Sequence, residues 1–118
     1  MGYIARRRSA TVAVAMALVA TLAPPAQAAP NKPPTATDDS GSTNEDTTLT
    51  IGVTANDTDP NRGDKLTASG SGATAQGGTF SCSGTSCTYT PPANFSGSDS
   101  FDYTVSDGNG GSDTGTVT

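Results

Sequence analysis

The chain has 118 residues, a formal net charge of −5, and neither histidine nor tryptophan. That length makes one domain, and the missing imidazoles exclude Ser-His and Cys-His nucleophile pairs and any zinc site built on histidine. All eleven acids follow residue 28, where only Lys32, Arg62 and Lys65 oppose them, so residues 29–118 carry a net −8. Such a surface repels phosphate backbones and argues against nucleic acid as a partner.

The first segment reads as a signal peptide. Arg6, Arg7 and Arg8 form a basic start, Ala10 to Leu22 an apolar run, and Pro24 and Pro25 a break; Ala26-Gln27-Ala28 supplies the small residues that a signal peptidase reads. Cleavage is expected after Ala28, removing residues 1–28. The apolar run is about 13 residues, short of the ~20 that span a bilayer, so no membrane span is expected in the mature chain. The arginines raise twin-arginine export, but Ser9-Ala10-Thr11 lacks bulky apolar residues, and general secretion is the expectation. The mature protein is then secreted, extracellular or at the cell surface.

Residues 29–36 read as an extended, Pro-rich leader stiffened by Pro33 and Pro34. From residue 37 to 118 the hydrophobic period is two. Leu49, Ile51 and Val53 alternate on one face of Thr48–Val53, and Phe101, Tyr103 and Val105 do so farther on. Shorter strands are expected at Lys65–Ser69, Thr79–Cys82, Cys87–Thr90 and Thr114–Thr118, with an edge strand near Thr35–Ser40. About seven short strands with frequent turn signals predict an all-β Greek-key sandwich over residues 37–118. Its core is thin, with eleven large apolar residues, so a crosslink, bound ions or a neighbouring domain is expected to assist it.

Cys82 and Cys87 bracket Ser83-Gly84-Thr85-Ser86. With Gly84-Thr85 as a type II′ hairpin turn, Cys82 falls opposite Cys87 and Phe80 opposite Tyr89. The cysteines then occupy a non-hydrogen-bonded site, where the Cα separation of about 4.5 Å admits a disulfide. An exported chain favours that bridge. Redox catalysis usually shows a two-residue spacing near a helix, which is absent here.

Three stretches occur together: Glu45-Asp46-Thr47, then Ala55-Asn56-Asp57-Thr58-Asp59-Pro60, then Tyr89-Thr90-Pro91-Pro92-Ala93-Asn94-Phe95-Ser96-Gly97-Ser98-Asp99-Ser100-Phe101, continuing to Gly111. Residues 30–118 thereby resemble the bacterial cadherin-like and immunoglobulin-like repeats found in tandem in large surface adhesins. The hairpin cysteines and the single copy depart from that pattern. The final strand stops at Thr118 with no polar tail, and the expectation is a fragment or a clipped repeat array. The resemblance implies calcium held at the loops, with Asp57, Asp59 and Asp107 as the leading ligands and Asn109 and Asp39 nearby. Glu45 and Asp99, at the other pole, would serve a junction with a following domain. Carboxylate and amide oxygens on loops are hard ligands suited to Ca²⁺; the competing reading is solvated turn acids.

Other motifs carry less. Arg62-Gly63-Asp64 is an integrin-type tripeptide of a kind that arises readily by chance. Asp57-x-Asp59-x-Asn61 opens like an EF-hand, but its glycine comes one residue late and its twelfth position is Ala68. Asp113-Thr114-Gly115-Thr116 mimics the aspartic protease signature, a chemistry of two carboxylates sharing a proton, but it stands at the end of the sequence with no chain after it for the expected floor or flap. No enzyme is expected. The expected function is a structural or adhesive repeat whose partners are neighbouring repeats or surface adhesion partners. The alternatives are a stand-alone carbohydrate- or receptor-binding module, with a glycan as partner, and a remnant of a larger adhesin.

Overall fold

A computed structural model describes residues 29–118; the predicted signal segment lies outside the described residues. These form no helix, hence none long and apolar enough to cross a membrane. There are six strands: β1 (Leu49–Gly52), β2 (Thr67–Ala73), β3 (Thr79–Ser83), β4 (Ser86–Thr90), β5 (Phe101–Ser106) and β6 (Ser112–Val117). All pair antiparallel in one sheet of order β1-β4-β3-β2-β5-β6. The β2–β3–β4 meander, with β1 returned beside β4 by the long 53–66 connection, is a Greek-key arrangement.

The sheet curls because β2 changes partner along its length. Thr67–Ser69 pair with β5, and Gly70–Ala73 pair with β3. Gly70 makes the turnover possible: its φ is +132°, and a Cβ there would lie 3.3 Å from the Phe80 ring. With no side chain in the way, Phe80 of β3 lies across β2 and stacks on Phe101 of β5 at 4.4 Å between centroids. Tyr89 follows at 6.2 Å. The curl gathers Val53, Ala68, Cys82, Cys87, Phe101, Tyr103, Val105 and Val117 into one buried cluster. The alternation seen in the sequence holds best on β5, where Phe101, Tyr103 and Val105 are buried between exposed Asp102 and Thr104.

Six strands stand where about seven are expected, and they form one curled sheet where two were expected. The segment expected as an edge strand makes only isolated bridges, Thr35 to Thr58 and Asp39 to Val117. It still closes the curl. Asp39 and Gly41 exchange backbone hydrogen bonds with Thr116 and Thr118 beside β6, while a Cβ at Gly41 would lie 2.9 Å from the Leu49 side chain and 3.2 Å from that of Ile51 on β1. Residues 38–41 thus span from one sheet edge to the other. Too few consecutive bonds form for a strand: Asp39 pairs through both backbone groups and Gly41 donates to Thr118, but the Thr116 amide goes to the Asp38 carboxylate.

The hairpin follows the register read from the sequence: Cys82 opposite Cys87, Phe80 opposite Tyr89, Ser83 opposite Ser86. Gly84 takes φ +61° while Thr85 does not go positive, as a type II′ turn requires. Cys82 and Cys87 are bonded, both buried, with Cα atoms 3.9 Å apart. A loop this small contributes about 2 kcal/mol. The turn carbonyls also accept the Ala68 and Val53 amides, which anchors the hairpin tip to β2 and to the start of the 53–66 connection.

Candidate functional site

The long connection and the β5–β6 turn meet at one pole, where the Pro-rich segment also runs. Pro34 is buried, Thr35 bridges Thr58, the Lys32 amide donates to Asn61 Oδ1, and Asn31 Nδ2 donates to Asp107 Oδ2 at 2.8 Å. The leader is therefore tied to the loops.

Three carboxylates converge under it. Oxygens of Asp59, Asp64 and Asp107 lie within 4.8 Å of one another. Asp107 is 3 % exposed and fixed by the Asn31 side chain, the Asn109 amide at 2.7 Å and the Gly111 amide at 2.9 Å. The Asn31 amide foremost, then these backbone donors, hold its carboxyl below the usual carboxylate range. Asp59 folds over its own loop, with Oδ1 accepting the Asn61 amide at 2.6 Å. Asp64 is brought back by a turn in which its amide reaches the Asn61 carbonyl. Asp59 Oδ2 and Asp64 Oδ2 are both shielded from solvent and accept no hydrogen bond. Buried acceptors rarely go without a donor, and three carboxylates this close repel one another.

The other expected ligands sit apart. Asp57 is 9 % exposed and faces inward, accepting the Thr37 amide at 2.8 Å and lying 3.3 Å from the Tyr103 hydroxyl. Asp39 accepts from the same hydroxyl at 3.0 Å. Burial is the main reason its carboxyl is raised, with the Asp57 and Asp38 charges adding to the effect and the Tyr103 and Asn56 hydrogen bonds opposing it. Burial, with both neighbouring carboxylates, pushes the Tyr103 phenol far up. Asn109 stands at the turn beside Asp107 with its side chain exposed.

At the far pole, Glu45 and Asp99 line an open cavity of about 350 Å³ with Leu49, Tyr89, Phe95 and Phe101. Asp99 accepts from Thr74 Oγ1, the Tyr89 hydroxyl at 2.8 Å, and the Gln76 and Ser100 amides. Burial works against its charge, but those four donors prevail and its carboxyl lies below the usual range. Burial and the Asp99 charge push the Tyr89 phenol up to about 12. Glu45 is exposed in the 44–47 turn.

Sequence reasoning missed Asp64 as a member of the cluster, seeing it only as the end of Arg62-Gly63-Asp64. Its carboxylate points into the pole, and that orientation removes the integrin-type presentation. The available signal was the turn chemistry of Pro60, Asn61 and Gly63 between two acids, which doubles the loop back.

A family model of the bacterial Ig domain matches residues 31–118. No curated protein and no solved structure matches the chain.

Proposed function

We propose that this chain, which belongs to the bacterial Ig domain family, is an exported structural or adhesive module that stiffens when its polar end takes up Ca²⁺. The observation that carries the cation is the pair of buried, unpartnered oxygens on Asp59 and Asp64 beside Asp107. A divalent cation converts their repulsion into attraction, and hard oxygens suit calcium. Three carboxylates give less than a full shell of about 6–8 oxygens, so water or a neighbouring domain completes it. The leader lies over the same pole through Asn31, so ion binding would hold residues 29–36 more firmly against the loops. No catalytic constellation accompanies the cluster, and the reading is non-enzymatic. The signal-like segment and the buried disulfide support placement outside the cell.

The test is thermal unfolding in chelator and in calcium. For a dissociation constant of about 10⁻⁴–10⁻³ M, as in extracellular modules, roughly 10 mM calcium adds about 1.4–2.7 kcal/mol. In a domain this size that is about 6–20 °C. Magnesium should give little, and Asp59→Asn with Asp64→Asn should abolish the shift. An unchanged midpoint in calcium leaves a spacer domain without ion control.

A second reading, recognition of a glycan, draws on the far cavity, where Tyr89 and Phe95 stand beside Asp99 and Glu45. Saturable sugar binding that Phe95→Ala removes would support it, and its absence in a glycan screen would end it.

A further inference from the structure

Asn109 is followed by Gly110, the one asparagine in the chain with glycine after it. Both residues are exposed in the β5–β6 turn. The Asn109 backbone is held, its amide on Asp107 Oδ1 and its carbonyl accepting Asn31 Nδ2 at 3.2 Å. Its side-chain amide has no hydrogen-bond partner among the described residues, and neither does the Gly110 nitrogen. Gly110 is exposed at φ +96° with open space where a Cβ would stand, so no side chain of its own and no neighbour at that position crowds the approach.

We infer that Asn109 is a self-modification site. The Gly110 nitrogen loses its proton to base and attacks the Asn109 side-chain carbonyl carbon. The new C–N bond closes a five-membered imide, and the side-chain nitrogen leaves as ammonia. Water then opens either imide carbonyl, giving aspartate or isoaspartate at 109. No oxidant, reductant or bound ion takes part, so the inference stands or falls separately from the calcium site.

The product changes the pole. Either outcome adds one negative charge beside Asp107. Isoaspartate also takes the carbonyl that Asn31 grips out of the main chain, which loosens the leader. The neighbouring Asp107-Gly108 pair could form the same imide, but the Asp107 carboxylate is buried and held by three donors. Asn31, Asn56 and Asn61 have their side chains engaged and bulkier residues after them.

The experiment ages the folded protein in mildly alkaline and mildly acidic buffer, beside a urea-unfolded sample, and maps amide loss by peptide mass spectrometry. Isoaspartate is read out with an isoaspartyl methyltransferase. Conversion should concentrate at Asn109, run faster in alkali, and proceed in the folded protein within a few-fold of the unfolded rate. Asn109→Gln should retain the melting temperature and lose the signal. Reaction in the unfolded sample only, reaction spread evenly over the other asparagines, or none in either sample would each overturn the inference.

Discussion

Replacing Tyr103 with phenylalanine removes a single hydroxyl from the most crowded polar point in the fold. The ring is 1 % exposed, and its hydroxyl lies 3.0–3.3 Å from five oxygens: Thr37 O, Val53 O, Asp39 Oδ2 and both oxygens of Asp57. One proton serves them all, and the shortest contact goes to a carboxylate. A hydrogen bond to a charged group contributes about 1.5–3 kcal/mol, and phenylalanine preserves the packing, so the variant should lose about that much. The midpoint should fall by roughly 6–20 °C. The loss should also depend on pH. Asp39 is raised in the folded state, so its contribution is complete below the ordinary aspartate value of about 3.9 and is lost as pH rises through the folded value. Without the hydroxyl, one of the interactions lowering that value disappears and the loss at neutral pH grows. Thermal and urea unfolding of both proteins should therefore show the largest deficit near neutrality, shrinking toward about pH 4. A deficit under about 0.5 kcal/mol, or one unchanged across that range, would refute a hydroxyl that holds two carboxylates.

Gly115→Ala should be among the most damaging small changes, because a Cβ there would lie 2.6 Å from the Tyr103 Cζ and Oη atoms. Overpacking of this kind costs about 1–3 kcal/mol; urea unfolding would show it, and a neutral result would mean that β5 and β6 separate freely. At the other pole Asp99 titrates below the usual range, so its contribution is complete above about pH 3.9 and is lost as pH falls through the folded value. Asp99→Asn should be less stable at neutral pH and show a shallower acid limb in midpoint against pH, whereas parallel curves would refute the role given to its four donors.

What was legible in the sequence was the pattern that acts over a few residues. Alternation placed β1 and β5, and the spacing of Cys82, Gly84 and Cys87 gave the turn type, the register and the bridge together. The Phe80–Tyr89 pairing came with them. What acts across the fold was not legible. Period-two reading placed a strand at residues 35–40, but its backbone groups divide between Thr58, Thr116 and Thr118, and Asp38 and Asp39 have other acceptor roles. Gly70 reads as a break in a strand; only the neighbouring Phe80 ring shows that it lets β2 serve two partners. The same limit governed the acids. Grouping Asp57, Asp59 and Asp107 by loop put them at one pole, but there Asp57 turns inward to Tyr103 while Asp64 turns in beside Asp59.

Two neighbouring sets of carboxylates at that pole differ in how far folding supplies their donors. Asp39 and Asp57 share an internal donor, Tyr103, carried on the central buried strand face, so they are settled by folding itself. Asp59 and Asp64 each keep one oxygen with no donor, and these are the oxygens the proposed cation would engage. Asp107 links the two regimes, fully bonded yet within reach of the unsatisfied pair, and one of its donors is Asn31 of the leader. A cation at the pole would therefore act on the leader through Asp107 and Asn31 without disturbing the Tyr103 network. Calcium should accordingly protect the amides of Asn31, Lys32 and Thr35, Pro33 and Pro34 having none, from hydrogen exchange much more than those of β5, which the sheet already protects. Equal protection along the chain would mean that the ion stabilises the whole fold and holds the leader no more firmly than the rest.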